Sequence, residues 1–150
     1  MKTTLHVQVG IYHPDGTLKL TLKSESGKNF FTNPRCVVVN TDGNIIVSDF
    51  AKHNIRIFDP EGKFLSSYGS EGKGPEQLCR PCGVCCDGYG HILIADSNNN
   101  RVHVLNARGE LRGYLFGEGG VEEPVAVAIT KGGELLVGEW EGKVHVARYM

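Results

Sequence analysis

The stretch that decides the fold is Pro81-Cys82-Gly83-Val84-Cys85-Cys86-Asp87-Gly88-Tyr89-Gly90-His91-Ile92-Leu93-Ile94-Ala95-Asp96-Ser97-Asn98-Asn99-Asn100-Arg101-Val102-His103-Val104. Short β-type runs are separated by Gly and Asn turn signals, and Val102 and Val104 alternate with Arg101 and His103 at the period of two that strands require. Four strands are expected in this unit, at about 83–87, 91–96, 101–106 and 111–116. Working outward, the unit recurs. Pro34, Pro81 and Pro124 stand 47 and 43 residues apart, close to the ~40 to 45 residues of a four-stranded propeller blade. Nine residues after each proline comes Gly43, Gly90 or Gly133, and fifteen after comes Asp49, Asp96 or Glu139. Upstream, Ile11-Tyr12-His13-Pro14-Asp15-Gly16 matches Ile57-Phe58-Asp59-Pro60-Glu61-Gly62, which makes the N-terminal piece half of one more unit.

The expected class is therefore all-β, a propeller of about three and a half blades: a half blade at 1–29, blades at 30–76 and 77–120, and an incomplete last blade at 121–150. Such an arc cannot close by itself. Remaining blades of a longer chain, the favoured reading, or a second copy are needed to cover its ends.

The 150 residues carry 16 Lys+Arg against 17 Asp+Glu, a formal charge of −1, so bulk charge advertises neither nucleic acid nor an anionic membrane. Apolar runs such as Ile92–Ala95 fall far short of the ~20 residues that span a bilayer, and the start of the chain lacks a leader's apolar core. With five clustered cysteines, an odd number, a reduced cytoplasmic setting is expected.

Pro81-x-Gly83-Val84, the run Gly90–Val102 and Tyr68-Gly69-Ser70-Glu71-Gly72 resemble the NHL repeat, and the ending Lys143-Val144-His145-Val146-Ala147-Arg148-Tyr149 resembles the extreme C-terminus of tripartite-motif (TRIM) NHL proteins. The resemblance implies a six-bladed NHL-type β-propeller at the target-holding end of a RING-type ubiquitin ligase. The pattern is not uniform: Cys36 and Ala126 stand where the second copy has Gly83, and Glu139 replaces the aspartate.

Cys79, Cys82, Cys85 and Cys86 include zinc-like C-x2-C spacing, but Cys85 and Cys86 share columns with Val38-Val39 and Ala128-Ile129 of an inner strand. They are read as structural, and no metal or cofactor is expected. His103 and His145 share a column with Arg56 and are read as a repeated strand position; Asp49 and Asp96 are read as caps of the following loop. No H-E-x-x-H, G-x-S-x-G, P-loop or RING spacing is present, so no catalytic residue is assigned and any ligase chemistry would lie upstream.

In a propeller the loops entering the innermost strand and those joining the second strand to the third share one rim. That rim is expected to gather Arg35, Phe50, Lys52 and His53, then Arg80 and Asn98, then Trp140 and Glu141, as partner-binding residues. Its charge changes sign, since Glu122, Glu123, Glu139 and Glu141 crowd the third copy. A bipolar surface suits a protein partner, such as a ubiquitination target, better than a continuous phosphate chain; single-stranded RNA is the alternative.

Overall fold

The computed structural model describes residues 7–23 and 30–149. The start of the chain, read above as lacking a leader's apolar core, and the expected boundary at 29 lie outside them. Thirteen strands form four antiparallel sheets, with one short 3-10 turn at Ser97–Asn99 and no α-helix among the described residues. No helix there is long and apolar enough to cross a membrane.

The first sheet pairs β1 (Gly10–Tyr12) with β2 (Leu18–Thr21). The second is a meander of β3 (Pro34–Val39), β4 (Ile45–Asp49), β5 (Asn54–Phe58) and β6 (Phe64–Tyr68). The third repeats it with β7 (Pro81–Cys86), β8 (Ile92–Asp96), β9 (Arg101–Leu105) and β10 (Leu111–Leu115). The fourth has only β11 (Pro124–Ile129), β12 (Glu134–Glu139) and β13 (Val144–Arg148). The hairpins joining first strand to second reverse where a glycine reaches positive φ, at Gly43, Gly90 and Gly133, whose amides bond back to Asn40, Asp87 and Thr130.

The sheets stack as wedges, and the core is three blade-to-blade interfaces. Alternation along β8 assigns the sides: Ile92 and Ile94 pack with Ile46, Ile55 and Ile57 of the preceding blade, while Leu93 packs with Leu135 and Val137 of the following one. Gly83 marks the tightest approach. A Cβ there would come within 2.9 Å of the Ala126 Cα and the Val125 carbonyl, backbone that has nowhere to go. At the equivalent position of the preceding blade Cys36 instead fills the gap, its Sγ 3.4 Å from the Val84 amide nitrogen.

Both ends of the arc leave apolar surface open. The β1–β2 hairpin covers Ile45 and Val47, but Val37 and Val39, on the same face of the neighbouring β3, are more than half exposed. At the other end Val144 and Val146 are exposed beside Ala126 and Ala128. Four uncovered valines are what a propeller surface looks like where, among the described residues, no further wedge packs on it.

Candidate functional site

In each of the three repeats the second strand ends in a carboxylate that ties it back to the loop entering the innermost strand. Asp49 accepts from the amides of Thr32 (2.7 Å) and Asn33 (3.0 Å) in the loop entering β3, and from Ala51 and Lys52 (3.2 Å each) in the loop that follows. Asp96 accepts from Cys79 N–H at 2.7 Å, and Glu139 from Glu122 N–H at 3.0 Å. Asp49 thus reaches back as well as forward, whereas Asp96, also read as a cap of the following loop, takes its backbone bond from the inner-strand entry alone and makes no cap bond to the turn at Ser97–Asn99. Each carboxylate also faces a basic group on the third strand: Arg56 at 3.7 Å from Asp49, His103 at 3.0 Å from Asp96, His145 at 2.5 Å from Glu139. The extra methylene of Glu139 is absorbed without losing either partner.

The middle blade's pair is the most enclosed. Asp96 and His103 are fully buried, and Arg101 and Asn99 bring two further donors to the same carboxylate. Tyr68 of the preceding blade lies 2.8 Å from the second ring nitrogen. A carboxylate only accepts, so Nε2 carries a proton and, in the neutral ring, Nδ1 accepts from the tyrosine hydroxyl. Burial pushes the Tyr68 hydroxyl up, so it stays protonated and available to donate.

A second repeated device joins blade to blade across the rim. His53, at φ 54, receives the Arg80 N–H on its Nδ1 at 3.1 Å; Asn100, at φ 53, receives the Glu123 N–H on its Oδ1 at 2.8 Å. The residues so held, Arg80 (φ 56) and Glu123 (φ 42), are themselves in the left-handed region that ordinary side chains avoid at a cost of about 1–2 kcal/mol. In the last blade Gly142 takes the positive φ and offers no side chain.

The rim expected from topology is directly visible in hydrogen bonds. Phe50 N–H donates to Asn33 O, Asn98 N–H to Cys79 O and Trp140 N–H to Glu123 O, so the two sets of loops run side by side. Between them lies a pocket of about 580 Å³ walled by Arg35, Phe50, Arg80, Asn98, Trp140 and Glu123, with Gly83 and Val125–Val127 beneath. Five of the eight residues expected to bind a partner therefore share one cavity. Lys52 and Glu141 are exposed but outside it, and His53 is occupied as the latch on Arg80. Arg35 owes its place to a bulge: pairing of β3 skips from Pro34 to Cys36, which frees Arg35 from the ladder. Its guanidinium lies 4.5 Å from the Phe50 ring centre, and that of Arg80 lies 5.5 Å from the same ring.

The acidic side of the rim is thinner than its sequence suggests. Glu139 is turned inward onto Glu122 N–H and His145, which hold its carboxyl below the ordinary range, and of the four glutamates only Glu123 lines this pocket. Asn99 likewise points inward, to Gly72 O and Asp96. A smaller cleft of about 530 Å³, between Tyr114, Phe116 and Lys143, shares no residue with the first.

All five cysteines carry free thiols. Cys86 packs into the interface with the preceding blade and Cys85 into that with the following one, as opposite faces of one strand demand. Burial pushes the Cys85 thiol up to about 12 and that of Cys86 to about 11. Zinc binding needs thiolates, and no group of three or more His, Cys, Asp or Glu side chains among the described residues is arranged to hold a metal ion.

The NHL repeat model matches residues 31–58 and 78–105. The protein brain tumor of Drosophila melanogaster is 33% identical over 111 residues, 73% of this chain and 11% of that protein. The E3 ubiquitin-protein ligase TRIM56 of Mus musculus is 31% identical over 147 residues, 95% of this chain and 19% of that protein. The chain thus spans about a tenth to a fifth of these relatives' length. Among solved structures, a chain of the nidogen/laminin complex superposes with TM-score 0.67 at 22% identity, covering 89% of this chain and 48% of that one. A catalytically inactive virginiamycin B lyase from Staphylococcus aureus superposes with TM-score 0.66 at 14% identity, covering 93% and 47%. At these identities the likeness is one of fold.

Proposed function

We infer, from a chain that carries NHL repeats and folds as part of a β-propeller, that it is a protein-recognition module whose contact surface is the rim pocket. In a parent protein of the tripartite-motif kind, this end would hold the target while the ubiquitin-transferring chemistry resides elsewhere. One observation carries the reading: Phe50 and Trp140, equivalent residues of two different blades, look onto one cavity with two arginines between the blades. Trp140 is 73% exposed, although a large aromatic placed only to cover the core would be buried. Exposed Trp and Arg around a pocket are the residues in which binding hot spots are enriched. The similarity to a ubiquitin-protein ligase over nearly the whole chain supports the same reading.

The aromatic and guanidinium faces that would grip a peptide can also stack bases, which is the specific observation behind an RNA-binding alternative. The two are separated by offering the chain a displayed peptide library and a random single-stranded RNA pool. We expect selected peptides whose binding falls at least about tenfold in Trp140→Ala while Tm holds, as for a hot-spot side chain. Enrichment of RNA instead, with binding that collapses as salt is raised, would replace the protein reading with the RNA one.

A further inference from the structure

Four arginines on the rim side of the fold lie against aromatic rings, and they divide into two kinds. Arg56 faces Asp49, and Arg101 gives its Nε to Asp96 and an Nη to the carbonyls of Gly74 and Gln77, so both charges are answered within the protein. Arg35 and Arg80 are different. Among the described residues neither guanidinium has a carboxylate partner or a hydrogen bond; both rest on the single ring of Phe50, one reaching it from each of two blades. An aromatic face attracts a cation but does not neutralise it, so two like charges remain gathered at the mouth of a cavity. Beside them the floor is apolar: Val125, Ala126, Val127 and the bare backbone of Gly83, with the Trp140 ring opposite.

An anion seated between the two forks would remove their mutual repulsion and accept charge-assisted hydrogen bonds from each. We propose that the pocket takes the side-chain carboxylate of an Asp or Glu set next to a hydrophobic residue in an extended segment of the protein partner. The carboxylate would lie between Arg35 and Arg80 and the hydrophobic neighbour on Val125–Val127 against Trp140. This rests on the protein-recognition reading above and gives it a ligand chemistry. Glu123 decides between anions: a single carboxylate can sit on the arginine side of the cavity, whereas a phosphate chain with a charge at every nucleotide would have to pass Glu123 in the pocket and Glu122 next to it.

Trp140 is the sole tryptophan, so its emission reports on the site without a label. The probes are short peptides, acetylated and amidated at their ends, with a central Asp-Phe or Glu-Leu pair; the same peptides with Asn or Gln; a peptide whose only carboxylate is its free C-terminus; and a short single-stranded RNA. The acidic peptides should change the emission saturably, and their amide counterparts should bind at least about tenfold more weakly, the loss expected when one partner of a charge pair is removed. Arg35→Gln and Arg80→Gln should each lose a similar factor, while Lys52→Gln, exposed and outside the pocket, should not. The change made on the peptide tests the same contact with the protein untouched, so poor folding of an arginine variant cannot mask the answer. Equal binding of acid and amide peptides, or binding only through a free C-terminus, overturns the proposal. Library-selected peptides that need Trp140 but no carboxylate also overturn it, and leave the protein-recognition reading standing. Saturation by RNA with no response to any peptide removes both.

Discussion

The carboxylates of the second full repeat and of the incomplete last one do one job in two settings. Asp96 is enclosed by blades on both sides, with a histidine, an arginine, an asparagine and a backbone amide as donors and Tyr68 backing the histidine from the neighbouring blade. Glu139 keeps the amide and the histidine, but its blade has a neighbour on one side only, and Phe116 lies against His145 where Tyr68 contacts His103. The local motif is therefore independent of enclosure. Enclosure is supplied by the neighbouring wedge, and with it the cost of disturbing the motif.

The largest break in that comparison should come from Asp96→Ala. It strands buried donors on every side and should cost about 3–5 kcal/mol in chemical denaturation, the range for removing one member of a buried charged network. Glu139→Ala should cost distinctly less, and equal losses would show that the neighbouring wedge contributes nothing. Next is Tyr68→Phe, which leaves the buried His103 nitrogen without its donor and should cost about 1–2 kcal/mol. No equivalent hydroxyl exists at Phe116, so that sensitivity is specific to the middle blade.

Smaller still is the pH dependence. Glu139 binds its proton less readily when folded than its ordinary value of 4.5 implies, because of the Glu122 N–H and His145. Asp87 is also lowered, from 3.8: burial works the other way, and bonds from His91, Tyr89 and Tyr149 outweigh it. A depressed carboxylate contributes fully above its unfolded value and loses that contribution as pH falls through the folded one. Stability measured in urea should therefore hold from pH 7 to about 5 and decline below. Glu139→Gln should lower stability at neutral pH and flatten that decline by a similar amount, since the amide lacks at pH 7 what the carboxylate loses in acid. The smallest effect is kinetic: with burial raising their thiols, Cys85 and Cys86 should alkylate more slowly at pH 8 in the native chain than after unfolding.

The wedges were legible because their punctuation is local. Pro34, Pro81 and Pro124 open inner strands, and Gly43, Gly90 and Gly133 occupy turns whose positive φ only glycine enters freely. The shared column of Phe50 and Trp140 also survived into space, since both lie on one cavity. What sequence did not reveal depends on conformations that residue type does not announce. His53, Arg80 and Glu123 adopt positive φ without being glycine, so the latches between blades had no marker. The inward turn of Glu139 and Asn99 follows from partners brought in by distant segments, the donor Glu122 N–H for the one and the acceptor Gly72 O for the other, and no periodicity encodes those meetings. Without them the rim's sign change looked stronger than it is.

Arg80 carries a further lesson. Its backbone sits where glycine would be comfortable, so Arg80→Gly would relieve local strain and could leave the fold sturdier while emptying the mouth of the cavity. Durability and recognition pull in opposite directions at that residue. Screening for heat resistance would therefore tend to discard the side chain on which selective adhesion depends.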